Sequence, residues 1–409
     1  MLRVLLRSQS MRTALALGLG GGAFMLGNLV LARALPSAEY GLLSLFIGIL
    51  SVASLAAPLG LDLVVARRGL QLGRPLRRAI LAASLGTATV TAAVGALAYD
   101  LDASLLASLF LATVAAGAIQ AAVASFQGQQ RFGAASWLLQ ISNVLLLPVA
   151  LVTLSLGFRT ALMPCILIAA TNLVGAVATW NLVVRTERPD GLPPRIRTLW
   201  REALSLVAIT AAASVFLQLE RLVLVPSIGV EGLALFGVVA ALVGSPYRMI
   251  QGAVLFALIP GLRAAPGVAG RRKLLAREMT IIGAALACGS LVIWMVAPPI
   301  AHGFLGGRYD ITGTVMLAAI VSGLLKVFSA FATSVAVSLG DDRDLRLVSL
   351  SAWVSVGIAV GGAFAAAPWG LAGVLYGISV GWLVRTLVAA WIAAPHLMHA
   401  GGNLPHPVR

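Results

Sequence analysis

Apolar residues fill this chain in long runs, separated by short polar connections. The runs cover roughly 13–34, 41–61, 79–99, 103–125, 137–157, 163–184, 203–226, 232–254, 279–300, 311–339, 347–367 and 370–394. A helix rises 1.5 Å per residue, so about 20 apolar residues cross a hydrocarbon layer ~30 Å thick. The pattern predicts an all-α integral membrane protein of about 12 transmembrane helices, with boundaries good to a few residues. The tenth run is long enough to tilt or to break. Arg3, Arg7 and Arg12 precede the first run, and Ala32-Arg33-Ala34 imitates a signal cleavage site. The apolar stretch 13–31 exceeds the ~7–15 residues of a secretory signal, so an uncleaved first helix is expected.

Composition removes the soluble alternative. The chain is 60% hydrophobic and 11% charged, with mean hydropathy +0.98. Soluble domains run near a quarter charged. The 43 glycines and 18 prolines would trouble a soluble bundle, but membrane helices tolerate both.

The net charge of +15 would suggest nucleic acid in a soluble protein. Here the cations sit in short connections and report topology instead. With the N-terminus inside, the outer turns hold only Arg33, Arg159 and Arg308, and every other loop cation falls on the inner side. Both termini are therefore expected in the cytoplasm, and no nucleic-acid partner is expected. The longest connections, 62–78, 185–202 and 261–278, are too short for a separate soluble domain. Cys165 and Cys288 fall within apolar runs and read as packing residues.

The connection 185–202 is rich in proline and charge and divides the runs six and six. This predicts an N-terminal bundle over 1–184, a cytoplasmic linker over 185–202 and a C-terminal bundle over 203–409. The shift that lays Glu39 on Glu231 also lays Leu43 on Leu235 and Asn28 on Glu220. Two halves in the same orientation would form a parallel repeat, a common transporter construction.

Charge within the apolar runs is the chemistry that needs a reason, because each such residue costs about 2.5–3.5 kcal/mol at the bilayer centre. The candidates are Glu220, Arg221, Arg248, Lys326 and Arg385. Lys326 sits near the middle of its run, and Ser322, Lys326, Ser329 and Thr333 share an arc of about 60° at helical spacing. That stripe suits the wall of a hydrated cavity; the alternative is a lysine paired with an acid or snorkelling to an interface. Thr210, Ser214, Gln218 and Arg221 share a comparable arc, but Arg221 is near the outer end and could instead reach the headgroups. Glu220 points about 100° away from Arg221 and is expected to answer a cation elsewhere. Arg248 follows Pro246 near the cytoplasmic end, where snorkelling competes with a cavity role. Arg385 is at mid-depth among apolar helical neighbours. Arg33 reads either as an interfacial anchor or as part of an outer mouth.

A net-cationic interior favours an anionic passenger. No enzyme constellation is visible, and His396 and His399 lack a third metal ligand. No cofactor or metal is expected. Gly373, Gly377 and Gly381 recur every four residues and predict a close helix crossing. Pro58, Pro148 and Pro246 read as kinks or gates.

Several stretches then carry a likeness. They are Leu31-Ala-Arg-Ala-Leu-Pro-Ser-Ala-Glu-Tyr-Gly41, followed by Gly60 and Arg67; Phe126-Gln-Gly-Gln-Gln-Arg-Phe132; Gln218-Leu-Glu-Arg221; Pro260-Gly261; and Gly306-Gly307-Arg308-Tyr309. Each is loose alone; in order and spacing the chain resembles the polysaccharide transporter family. These are O-antigen and oligosaccharide flippases, grouped in a superfamily with the multidrug and toxin extrusion (MATE) exporters. Glu220 stands where that family often has aspartate. Twelve runs set the chain apart from the fourteen-span peptidoglycan lipid flippases.

The resemblance implies a MATE-like fold of two six-helix bundles related by a pseudo-two-fold axis. It also implies alternating access through a cationic central cavity, with a polyprenyl-diphosphate-linked saccharide as passenger. Membrane lipid and other polysaccharide-assembly proteins would be partners, and a bacterial inner membrane the location. Expected cavity residues are Lys326, Arg221, Arg385, Arg248, Glu220, Gln218, Asn28, Arg33, Ser322 and Thr333. The alternatives are an exporter of small cations and, with less support from the short outer turns, a membrane glycan polymerase or ligase.

Overall fold

A computed structural model describes residues 9–186 and 196–398. Arg3, Arg7, half of the 185–202 connection, His399, His406 and Arg409 lie outside the described residues. The described chain is helical: α1 Gln9–Ala34, α2 Ser37–Ala56, α3 Leu61–Arg68, α4 Arg74–Tyr99, α5 Ala103–Gly128, α6 Phe132–Ser155 and α7 Leu162–Thr186. It continues with α8 Ile196–Val239, α9 Ser245–Ala264, α10 Gly267–Leu305, α11 Gly313–Leu339, α12 Asp342–Ala366 and α13 Gly370–Met398. Apart from the short α3, these helices correspond to the twelve apolar runs. Among the described residues, nine helical segments are long and apolar enough to cross a membrane, and two of them, Ala211–Ala264 and Arg343–Met398, each contain two expected runs. In hydrocarbon a helix satisfies its own backbone, which is why apolar runs fold this way.

The boundaries follow local chemistry. α2 stops before Pro58, and Gly60 adopts φ 77° in the turn to α3, where its Cα hydrogens face Ala203 O. A side chain there would be strained and would also strike that carbonyl. Gly229 (φ 82°, ψ 178°) breaks α8 after Pro226, at the outer turn expected between the seventh and eighth runs. Of the three flagged prolines, Pro58 lies in a terminating turn and Pro148 within continuous α6. Pro246 opens α9 after a π-helical turn, Ala240–Gly244. α11 runs unbroken. Asp341 and Asp344 form a reciprocal capping box at the start of α12. One expectation needs correction: the connection 261–278 is largely helical, because α10 begins at Gly267 and extends the ninth run toward its N-terminus.

Two compact units emerge from the packing: 1–242 with 300–311, and 243–299 with 312–409. In the first, α1 pairs with α6 and α2 with α8, while α5 packs on α3, α4, α6 and α7. A core of Leu61, Val65, Ile119, Phe126 and Leu199 joins α3, α5 and α8. In the second, α9 packs on α11, and α13 packs on both α11 and α12.

The α12–α13 crossing is made by backbone on backbone. A Cβ at Gly377 would lie 2.2 Å from Gly362 O, and one at Gly381 would lie 2.6 Å from Ser355 O. All three predicted small residues therefore face α12, Gly373 abutting the carbonyl of its last residue, Ala366. Gly377→Leu should destabilise the protein by about 2–3 kcal/mol. Gly357→Leu, where nothing lies within 4 Å, should not. Thermal melting in detergent measures the difference; equal midpoints would show that the crossing yields.

Candidate functional site

Of the sequence-predicted residues, Asn28 and Arg221 lie in one cluster in the first unit, and Lys326 and Arg385 in another in the second. In the first unit, Arg221 is held on α8 and is 2% exposed. Its stem lies against Gly48, where an added Cβ would come within 2.8 Å of Arg221 Cβ. Gly48 is near the middle of α2, so Arg221 is deeper than its sequence distance from the outer turn suggests. There the side chain is buried between α1 and α2. The guanidinium carbon is 5.6 Å from the Phe24 ring on α1. The cation therefore meets the ring's negative face, worth up to about 2 kcal/mol where water is excluded.

Asn28 and Tyr40 complete this cluster, both fully buried. Asn28 Nδ2 donates to Phe24 O (2.8 Å), and Tyr40 OH donates to Asn28 Oδ1 (3.5 Å). The Arg221 charge reaches the Tyr40 hydroxyl. Glu220 is 1% exposed beside it in sequence, while Gln218 is partly buried with Oε1 lacking a hydrogen-bond partner. Arg33 behaves differently. It is exposed at the end of α1, with its guanidinium 5.0 Å from the Phe304 ring. Its carbonyl and that of Leu35 accept from the Arg308 guanidinium, which caps α1 (3.3 and 3.2 Å). Tyr309 packs edge-on against Tyr40 at 6.3 Å. Two motifs separated by most of the chain, the Leu31–Gly41 stretch and Gly306-Gly307-Arg308-Tyr309, thus form one assembly.

In the second unit, Lys326 and Arg385 share one ring. Lys326 Nζ lies 5.9 Å and the Arg385 guanidinium carbon 5.5 Å from the Trp382 ring centre. Trp382 is 1% and Arg385 9% exposed. Lys326 is at the midpoint of α11 and Arg385 near that of α13, each about 20 Å from its helix ends. Ser322 is buried on the Lys326 face and Thr333 is partly buried. Arg248 is partly buried in the first turn of α9. Next to it, the Tyr247 ring packs on Gly323 and its hydroxyl shares a 2.5 Å hydrogen bond with Ser290.

Sequence reasoning sought charge and overlooked the aromatic rings. Trp382, one turn before Arg385, was counted among apolar neighbours, yet it is the ring that both cations meet. Phe24, Tyr40 and Tyr247 were likewise missed. For Trp382 the available signal was an aromatic residue three positions before an intramembrane cation; Phe24 and Tyr40 meet Arg221 from other helices and gave none. Among the described residues, no group of three or more His, Cys, Asp or Glu could hold a metal ion.

Elsewhere in the first unit, Glu202 bridges Arg68 (2.5 Å) and Arg67 (3.7 Å). Asp62, in the first turn of α3, has Oδ1 buried without a hydrogen-bond partner. Burial pushes its carboxyl up from 3.8 to about 6, against weaker lowering by its backbone hydrogen bonds. The folded state then binds a proton more tightly than the unfolded chain, so this group's contribution falls as pH rises from about 4 to 6 and is flat above. Asp62→Asn should stabilise the protein by about 1–2 kcal/mol at pH 7.5, discounted for partial exposure, and by almost nothing at pH 4. Chemical denaturation at the two pH values measures this; a loss of stability at pH 7.5 would contradict it.

By sequence, no family model and no curated protein matches the chain. By structure, it resembles an inward-facing multidrug resistance MATE family transporter of the MOP superfamily, at TM-score 0.59 and 16% identity, with 94% of each chain covered. An outward-facing multidrug resistance MATE family transporter matches at TM-score 0.56 and 16% identity, covering 96% of this chain and 97% of that one. A MATE in complex with Br-NRF matches at 0.55 and 16%, with the same coverage. The chain is thus a multi-pass membrane protein with the MATE transporter fold. The likeness extends over nearly its whole length.

Proposed function

We propose that this protein is a flippase that carries a polyprenyl-diphosphate-linked oligosaccharide across a bacterial inner membrane by alternating access, with both termini in the cytoplasm. The observation that carries the reading is the pair of cations, Lys326 and Arg385, kept at the midpoints of two helices against one buried tryptophan. Each costs about 3 kcal/mol at that depth, and a ring contact offsets part of that, about 2 kcal/mol where water is excluded. A cation fixed at that depth attracts an anionic ligand. A diphosphate in hydrocarbon faces a far larger penalty, which fixed cations would offset. Lys326 is assigned the principal contact to the diphosphate, and Arg385 a secondary one. Ser322 and Thr333 would hydrogen-bond the headgroup, while the polyprenyl tail stays in lipid.

An exporter of small organic cations is the second reading. The multidrug resistance transporters among the structural neighbours fit it equally well. Against it stands the sparse acid content of the spans, where Glu220 is the one flagged carboxylate.

Binding by the purified protein separates the two. Undecaprenyl diphosphate should bind, with affinity about tenfold weaker in Lys326→Gln. Tetraphenylphosphonium should not compete. Tight tetraphenylphosphonium binding without undecaprenyl diphosphate binding would move the assignment to a cation exporter.

A further inference from the structure

A crevice of about 430 Å³ lies within the first unit, between α4, α5 and α7, away from every residue assigned above. Its walls are Ile80 and Leu81 of α4, Val114 and Ala118 of α5, and Ala176 and Val177 of α7. Two of these are alanines, and the small side chains leave the space open. Ser84 lines it too, but its hydroxyl already donates to Ile80 O (2.8 Å) and makes no polar demand on an occupant.

The rim is different in kind. Arg77 and Arg78 stand on the first turn of α4, with Trp180 and Asn181 opposite on α7. The Arg77 guanidinium lies over the Trp180 ring at 5.7 Å, and its Nε donates to the Leu72 carbonyl. These contacts fix the cation at the edge of the apolar cleft. Arg77 to Ser84 is seven residues, so the cleft runs about 10 Å along α4. The distribution of loop cations puts this end at the cytoplasmic interface, the level at which tryptophan anchors. Leu81, Leu85, Val174 and Val177 are all more than two-fifths exposed on the same surface.

A free anion has no use for the apolar wall, and an uncharged lipid has no use for two adjacent arginines. We infer that this crevice is a binding site for an anionic phospholipid of the cytoplasmic leaflet. Arg77 and Arg78 hold the phosphate, and an acyl chain lies between α4, α5 and α7. The inference is independent of what the protein transports.

Trp180 provides the readout. The intact protein is placed in phosphatidylcholine vesicles containing either brominated phosphatidylglycerol or brominated phosphatidylcholine. The Trp180 share of the fluorescence is obtained by difference from Trp180→Phe. Brominated phosphatidylglycerol should quench Trp180 at about one-tenth the mole fraction that brominated phosphatidylcholine needs. Arg78→Gln should weaken that preference several-fold, and Arg77→Gln with Arg78→Gln should remove it. Ala118→Leu, which fills the cleft while keeping both cations, should reduce quenching by either lipid. Equal quenching by the two headgroups, unchanged in the arginine variants, would mean that Trp180 merely faces bulk bilayer and would overturn the site. Stoichiometric displacement of phosphatidylglycerol by undecaprenyl phosphate would also overturn it, by making a polyprenyl lipid the proper occupant.

Discussion

A charge in hydrocarbon is tolerated only in the company of something polarisable, dipolar or opposite in sign. The placement of Arg221, Lys326 and Arg385 reflects that constraint. Each cation meets an aromatic face: Phe24 for Arg221, and Trp382 for both Lys326 and Arg385. Each ring contact limits the motion of its side chain and leaves the formal charge of the cation in place.

The surrounding helices make this possible by coming close. Gly48 lets α2 lie on the stem of Arg221, and Gly323 lets α11 accept the Tyr247 ring. Gly362 and Gly377 allow α12 and α13 to touch through their backbones. Lipid offers little hydrophobic drive for helix association, so dispersion between closely apposed surfaces carries more of the work. This accounts for a glycine content that would weaken a soluble bundle.

The helices were readable because hydrocarbon thickness imposes a length on every apolar run. The break between the seventh and eighth runs was readable too, and Gly229 realises it. The extension of α10 to Gly267 was not, since a charged amphipathic stretch looks like a loop when only hydropathy is scored. For the site, the intramembrane cations stood out because charge in a span is costly. Their rings did not, because Phe24 and Trp382 look like ordinary apolar residues until a cation is placed on them. The depth of Arg221 was also hidden, since it depends on which part of α2 packs beside α8. The crevice between α4, α5 and α7 left no mark in sequence: Ala118 and Ala176 acquire meaning only when three helices bring them together.

Movement of an anionic lipid-linked saccharide between leaflets is measurable in proteoliposomes, with a fluorescent polyprenyl-diphosphate oligosaccharide and a membrane-impermeant quencher that sees only one leaflet. Protein-dependent exposure of the label is expected, slowed at least tenfold in Lys326→Ala. Failure to translocate any of several such glycans, in vesicles where the same protein moves tetraphenylphosphonium down an imposed gradient, would contradict the flippase reading.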